Sequence, residues 1–112
     1  MLDRLKDMII VNGSNVFCSE VELVIASHEL VSEAAVIGLP LPEEGEELSV
    51  CVVLRQGGSL DLEKLRAYCE PRLAPYKWPT RMFVLDELPR TVVDKVDKKR
   101  LRIQLSMFPY DG

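Results

Sequence analysis

Thiols and imidazoles are scarce in this chain of 112 residues, which carries three cysteines and one histidine. Cys18, Cys51 and Cys69 are odd in number and far apart, show no CxxC spacing, and have only His28 as an imidazole partner. Those features argue against both a zinc site and a disulfide framework, so reduced thiols in a cytoplasmic protein are expected and no metal ligand is assigned. Positive charge is not in excess either. The 14 Lys and Arg residues face 18 Asp and Glu, for a net charge of −4, which is not the electrostatic footprint of a nucleic-acid binder. No apolar run is long enough to span a bilayer as a helix, and the start lacks a signal-peptide pattern. Internal repeats and low-complexity segments are missing as well.

What is there fits one small domain. A hydrophobic share of 47% is normal for a soluble fold, while 112 residues are few for a complete enzyme that binds several substrates. Met8 to Val11 is a short β-branched run closed by Asn12-Gly13, which predicts a strand and a turn. Ser19 with Glu22 three residues on reads as a capping box, and Val21, Val24 and Ile25 predict a helix from about Glu20 to His28. Val31 to Leu39 and Leu48 to Arg55 read as strands, separated by the loop PLPEEGEE. Cys51, inside the second of these runs, is expected to act as a small core residue. Ser59 or Asp61 caps the next helix, and Pro71 should break it before the loop APYKWP. Arg81 to Leu85 predicts a further strand, and a last helix begins around Val96 or Asp97 and carries Leu101, Ile103 and Leu105. The tail SMFPYDG shows no clear order. This order predicts an α+β fold: a two-layer α/β sandwich with a small, mostly antiparallel sheet and about three helices.

Charge is distributed unevenly. Glu43, Glu44, Glu46 and Glu47 cluster in the middle, and Lys95, Lys98, Lys99, Arg100 and Arg102 form a basic segment near the end. A solvated helix face is the expected role for Lys98 to Arg102. Two lysines stand in charged motifs near the ends: Lys6 in DRLKDMIIVNGSNVFCSEVE and Lys95 in ELPRTVVDKVDKKRLR. An ammonium on a flexible stem suits the gripping of a phosphate or carboxylate. From spacing alone, however, nothing separates Lys95 from an ordinary surface lysine such as Lys98.

The motifs taken together resemble the C-terminal domain of AMP-forming acyl-CoA synthetases, in the adenylate-forming superfamily. DRLKDMIIVNGSNVFCSEVE is similar to the family's opening run. SEAAVIGLP, Gly45-Glu46, LAPYKWP and DELPRT follow in the family's order, so the likeness covers roughly Leu2 to Leu105. By this resemblance Lys95 matches the lysine that contacts the acyl carboxylate and the α-phosphate during adenylation. Lys6 matches the hinge about which the domain rotates. Arg4 matches the arginine near the nucleotide ribose, and Asn15 is grouped with it as nucleotide-binding. Asn12, Gly13, Ser14 and Asn15 match the loop brought against the pantetheine tunnel. Arg72 and Lys77 lie where the family places basic residues for CoA phosphates, although solvated charge is the plain alternative for both. Trp78 is either a stacking surface for adenine or a core residue.

The resemblance implies an acid–CoA ligase. It would use ATP, Mg²⁺ and CoA on a small-molecule carboxylic acid, with this chain as the mobile domain partnered by an N-terminal ATP- and acyl-binding domain. That larger domain, with its phosphate loop, is expected to be absent from residues 1–112, so the fragment should be inert alone. A stand-alone, non-catalytic binding or regulatory module is the alternative. One residue departs from the family pattern: Val93-Asp94-Lys95 stands where the family has Ser/Thr-Gly-Lys. Aspartate tolerates the left-handed backbone that glycine allows, but its carboxylate would oppose an incoming phosphate.

Overall fold

A computed structural model describes residues 8–11, 13–40 and 46–106. Among the described residues five strands and three helices follow in the order β1 (Met8–Val11), β2 (Ser14–Phe17), α1 (Cys18–Ala26), β3 (Val31–Pro40), β4 (Glu46–Leu54), α2 (Leu62–Cys69), β5 (Arg81–Val84) and α3 (Lys98–Ser106). A single 3-10 turn, Pro75–Lys77, precedes β5. The α+β class, the three helices and the mostly antiparallel pairing follow the sequence expectation.

The central sheet runs in the order β3-β4-β5, antiparallel between β3 and β4 and parallel between β4 and β5. Alternate residues of β3 and β4 feed two separate cores. Val36, Leu48, Val50 and Val52 join Val21 and Ile25 of α1, Leu65 and Cys69 of α2, and Ile9 and Val16 of the β1–β2 hairpin. Ala35, Ile37, Leu39 and Cys51 join Leu101 and Leu105 of α3 and Leu88. The unbroken apolar run of β4 follows from that arrangement, because a strand covered on both faces has no solvent side to make polar.

Two predicted details turn out otherwise. The segment after Asn12-Gly13 is itself a strand. Val11 pairs with Ser14, so a two-residue turn closes a hairpin, with Gly13 at φ +82° where left-handed backbone is required. The capping box at Ser19 is also not formed: α1 starts at Cys18 behind Phe17, with no side-chain cap. Glu22 is committed elsewhere. Its Oε2 accepts the Val36 N–H of β3 at 2.8 Å and pairs with Lys98 Nζ of α3 at 2.5 Å. β3 is an edge strand, so Glu22 satisfies an edge amide that β4 cannot reach. The same carboxylate ties a helix on one face of the sheet to a helix on the other. Elsewhere Asp61 caps α2 by accepting the Lys64 N–H, and the helix ends before Pro71.

None of the three cysteines forms a disulfide, and all three are fully buried. Burial pushes the Cys51 thiol up to about 12, against an opposing pull from Lys98, and burial likewise raises Cys69 against Arg72. The folded value for Cys51 lies above the unfolded 9.0, so its contribution to stability is whole below pH 9 and fades as the pH climbs toward 12. We expect no rapid reaction with a thiol reagent at neutral pH, three reactive thiols in guanidinium, and a falling urea midpoint above pH 9. Fast labelling of the native chain would contradict this packing.

Lys98 yields a second prediction. Lys98 and Glu22 are 18% and 23% exposed, so removing the ammonium leaves a half-buried carboxylate without its counter-charge. Lys98→Ala should lower stability by about 1–3 kcal/mol, the range for leaving a buried polar group without its partner. An unchanged urea midpoint would instead place Lys98 with the solvated charges.

Candidate functional site

Lys95 lies in the loop between β5 and α3. An antiparallel bridge between Arg90 and Val96 closes the loop at its base. Within it the Thr91 N–H donates to the Lys95 carbonyl at 2.7 Å, and the Asp94 N–H donates to the Thr91 carbonyl at 2.9 Å. The second bond makes Thr91 to Asp94 a β-turn. Asp94 has φ +63°, and among the described residues it is the one non-glycine in the left-handed region. Aspartate therefore takes up the backbone conformation for which glycine is usual, and the turn keeps its shape. Val92 and Val93 project from the turn, the first fully exposed and the second 68% exposed. Lys95 is exposed too, and its side chain makes no hydrogen bond or ion pair among the described residues. Just beyond the loop, the Asp97 N–H donates to the Pro89 carbonyl, and Asp97 Oδ1 accepts the Arg100 N–H at the start of α3.

The other basic candidates are held within the domain. Lys77 Nζ lies 2.9 Å from both Glu20 carboxylate oxygens, fastening the 3-10 turn to α1, and that hydrogen bond raises its pKa. Arg72 lies over the Tyr68 ring at 3.9 Å and donates to the Tyr68 carbonyl at 2.7 Å near the end of α2. Lys98 corrects the expectation of a solvated helix face, because it is largely covered and paired with Glu22. Lys99, Arg100 and Arg102 are exposed, as expected. Trp78 packs against the larger core and donates its indole N–H to the Leu73 carbonyl at 3.0 Å.

Gly13, Ser14 and Asn15 sit together at the tip of the β1–β2 hairpin, with Asn15 opposite Ile10. The side of the hairpin away from the core exposes Met8, Ile10 and Phe17. Arg4, Lys6 and Asn12, together with the loop 41–45 and the tail 107–112, lie outside the described residues. The hairpin packs on the core shared with α1 and α2, whereas Val96, at the base of the lysine loop, packs on the core shared with α3. The two groups of candidate residues therefore belong to opposite faces of the central sheet.

Sequence reasoning gave no role to Arg90, which holds the lysine loop from its base. One of its contacts, with Asp94, is made across the turn four residues on. Its other partner, Glu33, is 57 residues away, and no local pattern announces that pair.

The architecture and motifs have close counterparts among known proteins. The 2-succinylbenzoate–CoA ligase of Geobacillus kaustophilus is 43% identical over 102 residues, covering 91% of this chain and 21% of the relative. A long-chain-fatty-acid–CoA ligase of Bacillus subtilis is 42% identical over 99 residues, covering 88% of this chain and 18% of the relative. The solved structure of a Mycobacterium tuberculosis fatty acyl CoA synthetase superposes with a TM-score of 0.84 at 43% identity, over 92% of this chain and 20% of that one. The chain thus spans about a fifth of the length of the relatives it matches. Residues 20–95 match the family described as the AMP-binding enzyme C-terminal domain, and the chain belongs to that family.

Proposed function

We propose that this chain is the mobile C-terminal domain of an acid–CoA ligase. Such an enzyme activates a carboxylic acid with ATP as an acyl-adenylate and then transfers the acyl group to CoA with release of AMP. The observation that carries this reading is the state of Lys95. Its side chain is exposed on a hydrogen-bonded turn with no hydrogen bond or ion pair among the described residues, while Lys77 and Lys98 are each bound to a glutamate. An ammonium presented in this way can meet the carboxylate and the α-phosphate where negative charge builds in the adenylation transition state. The exposed Val92 and Val93 at the turn suit insertion into a site closed by a larger body, from which they would exclude water.

Two candidate surfaces on opposite faces support a two-position cycle, with Lys6 as the hinge. In one orientation Lys95 faces the N-terminal ATP- and acyl-binding domain, with Arg4 and Asn15 at the nucleotide. In the other, the hairpin tip with Asn12, Gly13 and Ser14 approaches CoA. ATP and CoA then each favour the orientation they bind, so rotation separates the half-reactions. Arg72 and Lys77 are the basic groups proposed for CoA phosphates; a phosphate would take Lys77 by replacing the Glu20 carboxylate. Among the described residues no cluster of three or more His, Cys, Asp or Glu could hold a metal. Mg²⁺ is proposed to travel with the nucleotide phosphates. No helix among the described residues is long and apolar enough to cross a membrane; a cytoplasmic location is proposed.

The alternative of a non-catalytic module drew on Asp94 in place of glycine. The left-handed φ of Asp94 and its proximity to Arg90 weaken that objection.

The test separates the half-reactions in the full-length ligase that carries this chain. Lys95→Ala should cut acyl-adenylate formation, read by pyrophosphate exchange, by roughly a hundredfold or more, the scale of losing one transition-state donor. Thioester formation from supplied acyl-adenylate should change little. Lys99→Ala, which removes an exposed charge from α3, is the control and should be nearly silent. Equal, mild effects of Lys95→Ala and Lys99→Ala would move the non-catalytic reading ahead.

A further inference from the structure

Arg90 makes three contacts, one to β3 and two to the lysine turn. Its Nη2 donates to Glu33 Oε1 of β3, its Nη1 donates to the Asp94 carbonyl at 3.4 Å, and its Nε stands 3.8 Å from Asp94 Oδ1. Glu33 lies where the β3–β4 register shifts, between Val31 and Glu33, an irregularity of the kind that re-aims a side chain. A planar guanidinium with several donors can hold a carboxylate on one side and a turn on the other, which a lysine ammonium does less well. The turn needs holding because Asp94 adopts a left-handed conformation that disfavours residues other than glycine. It also needs a counter-charge, because the Asp94 carboxylate is next in sequence to the lysine that should meet an anion.

We propose that Arg90, anchored on Glu33, is the positioning residue of the Lys95 loop. On this view Arg90 makes aspartate workable at the position where the family pattern has glycine. It secures the left-handed turn from below and engages the Asp94 carboxylate, so that Lys95 keeps its charge for the substrate. The inference rests on the reading of Lys95 as the lysine that meets the acyl carboxylate and the α-phosphate. Arg90 itself touches no reacting atom and acts through Asp94.

The consequence is a dependence between two positions. With aspartate at 94, loss of Arg90 frees both the turn and the carboxylate, and Lys95 is misplaced and partly neutralised. With glycine at 94, neither problem arises and Arg90 becomes dispensable.

The experiment is a mutant cycle in the full-length ligase carrying this chain, with both half-reactions followed separately. Arg90→Ala should lower kcat for adenylation by roughly 10- to 100-fold, the scale expected for a misplaced catalytic group. KM for ATP and thioester formation from supplied acyl-adenylate should stay near wild type. Asp94→Gly alone should leave adenylation intact, and Arg90→Ala combined with Asp94→Gly should recover most of the lost kcat. A merely structural role for Arg90 would lower both half-reactions together and would not be repaired by glycine at 94; that outcome overturns the proposal. Lys95→Ala assayed alongside separates the two readings. An inactive Lys95→Ala with an unaffected Arg90→Ala overturns the positioning role alone, whereas an active Lys95→Ala overturns the reading of the lysine on which it rests.

Discussion

Glu22 belongs to α1 on one face of the central sheet, yet its carboxylate is bound at the open edge of β3, between the Val36 amide and the Lys98 ammonium. Much of the architecture depends on that junction. A sheet edge with a bare amide is a place where the chain can slip or pair with another copy, and a carboxylate there closes it. The ammonium comes from the first turn of α3, which covers the opposite face through Leu101 and Leu105. Two hydrophobic cores that share only a sheet are thereby joined by one ionic contact. The contact is also directional, which apolar packing is not.

The junction governs the site as well, because α3 begins three residues after Lys95. The loop is fixed at one end by Lys98 on Glu22 and by the Asp97 amide on the Pro89 carbonyl. At its base it is fixed by Arg90 on Glu33. What remains between these anchors is a short turn with exposed Val92, Val93 and Lys95. Three of the lysines thus differ in task. Lys77 and Lys98 hold elements together, and Lys95 is left available. Rigid supports around an exposed charge are what an electrostatic catalyst requires, since a group that must first be ordered loses part of its effect.

Most of the fold was legible in the sequence. The apolar run of β4, the proline after α2 and the Asp61 cap are local signals with local causes, and each lies where it was read. The second strand of the hairpin was less clear, because Ser14 to Phe17 is short and only its pairing with Met8 to Val11 makes it a strand. The Asn12-Gly13 pair was the available cue. Glu22 and Lys98 were misread for a common reason. A capping box and a solvated charge are the ordinary meanings of their local patterns, and the contact that replaces both joins residues far apart in the chain. The place of Lys95 was legible only through the family resemblance, since its own spacing resembles that of any surface lysine. Arg90 escaped because its anchor, Glu33, is remote in sequence.

The central claim is that the lysine loop is preformed in this chain, with Asp94 left-handed before any substrate or partner arrives. The most direct measurement is nuclear magnetic resonance of the 112-residue chain. A positive φ brings a residue's own amide and α protons unusually close. We therefore expect an intense intraresidue HN–Hα cross-peak at Asp94, matched in the described region by those of Gly13 and Gly57. Residues Thr91 to Val96 should show heteronuclear NOE values and order parameters as high as those of the neighbouring helix. A weak cross-peak at Asp94, with the low heteronuclear NOE and low order parameters of a free loop from Thr91 to Val96, would contradict the account.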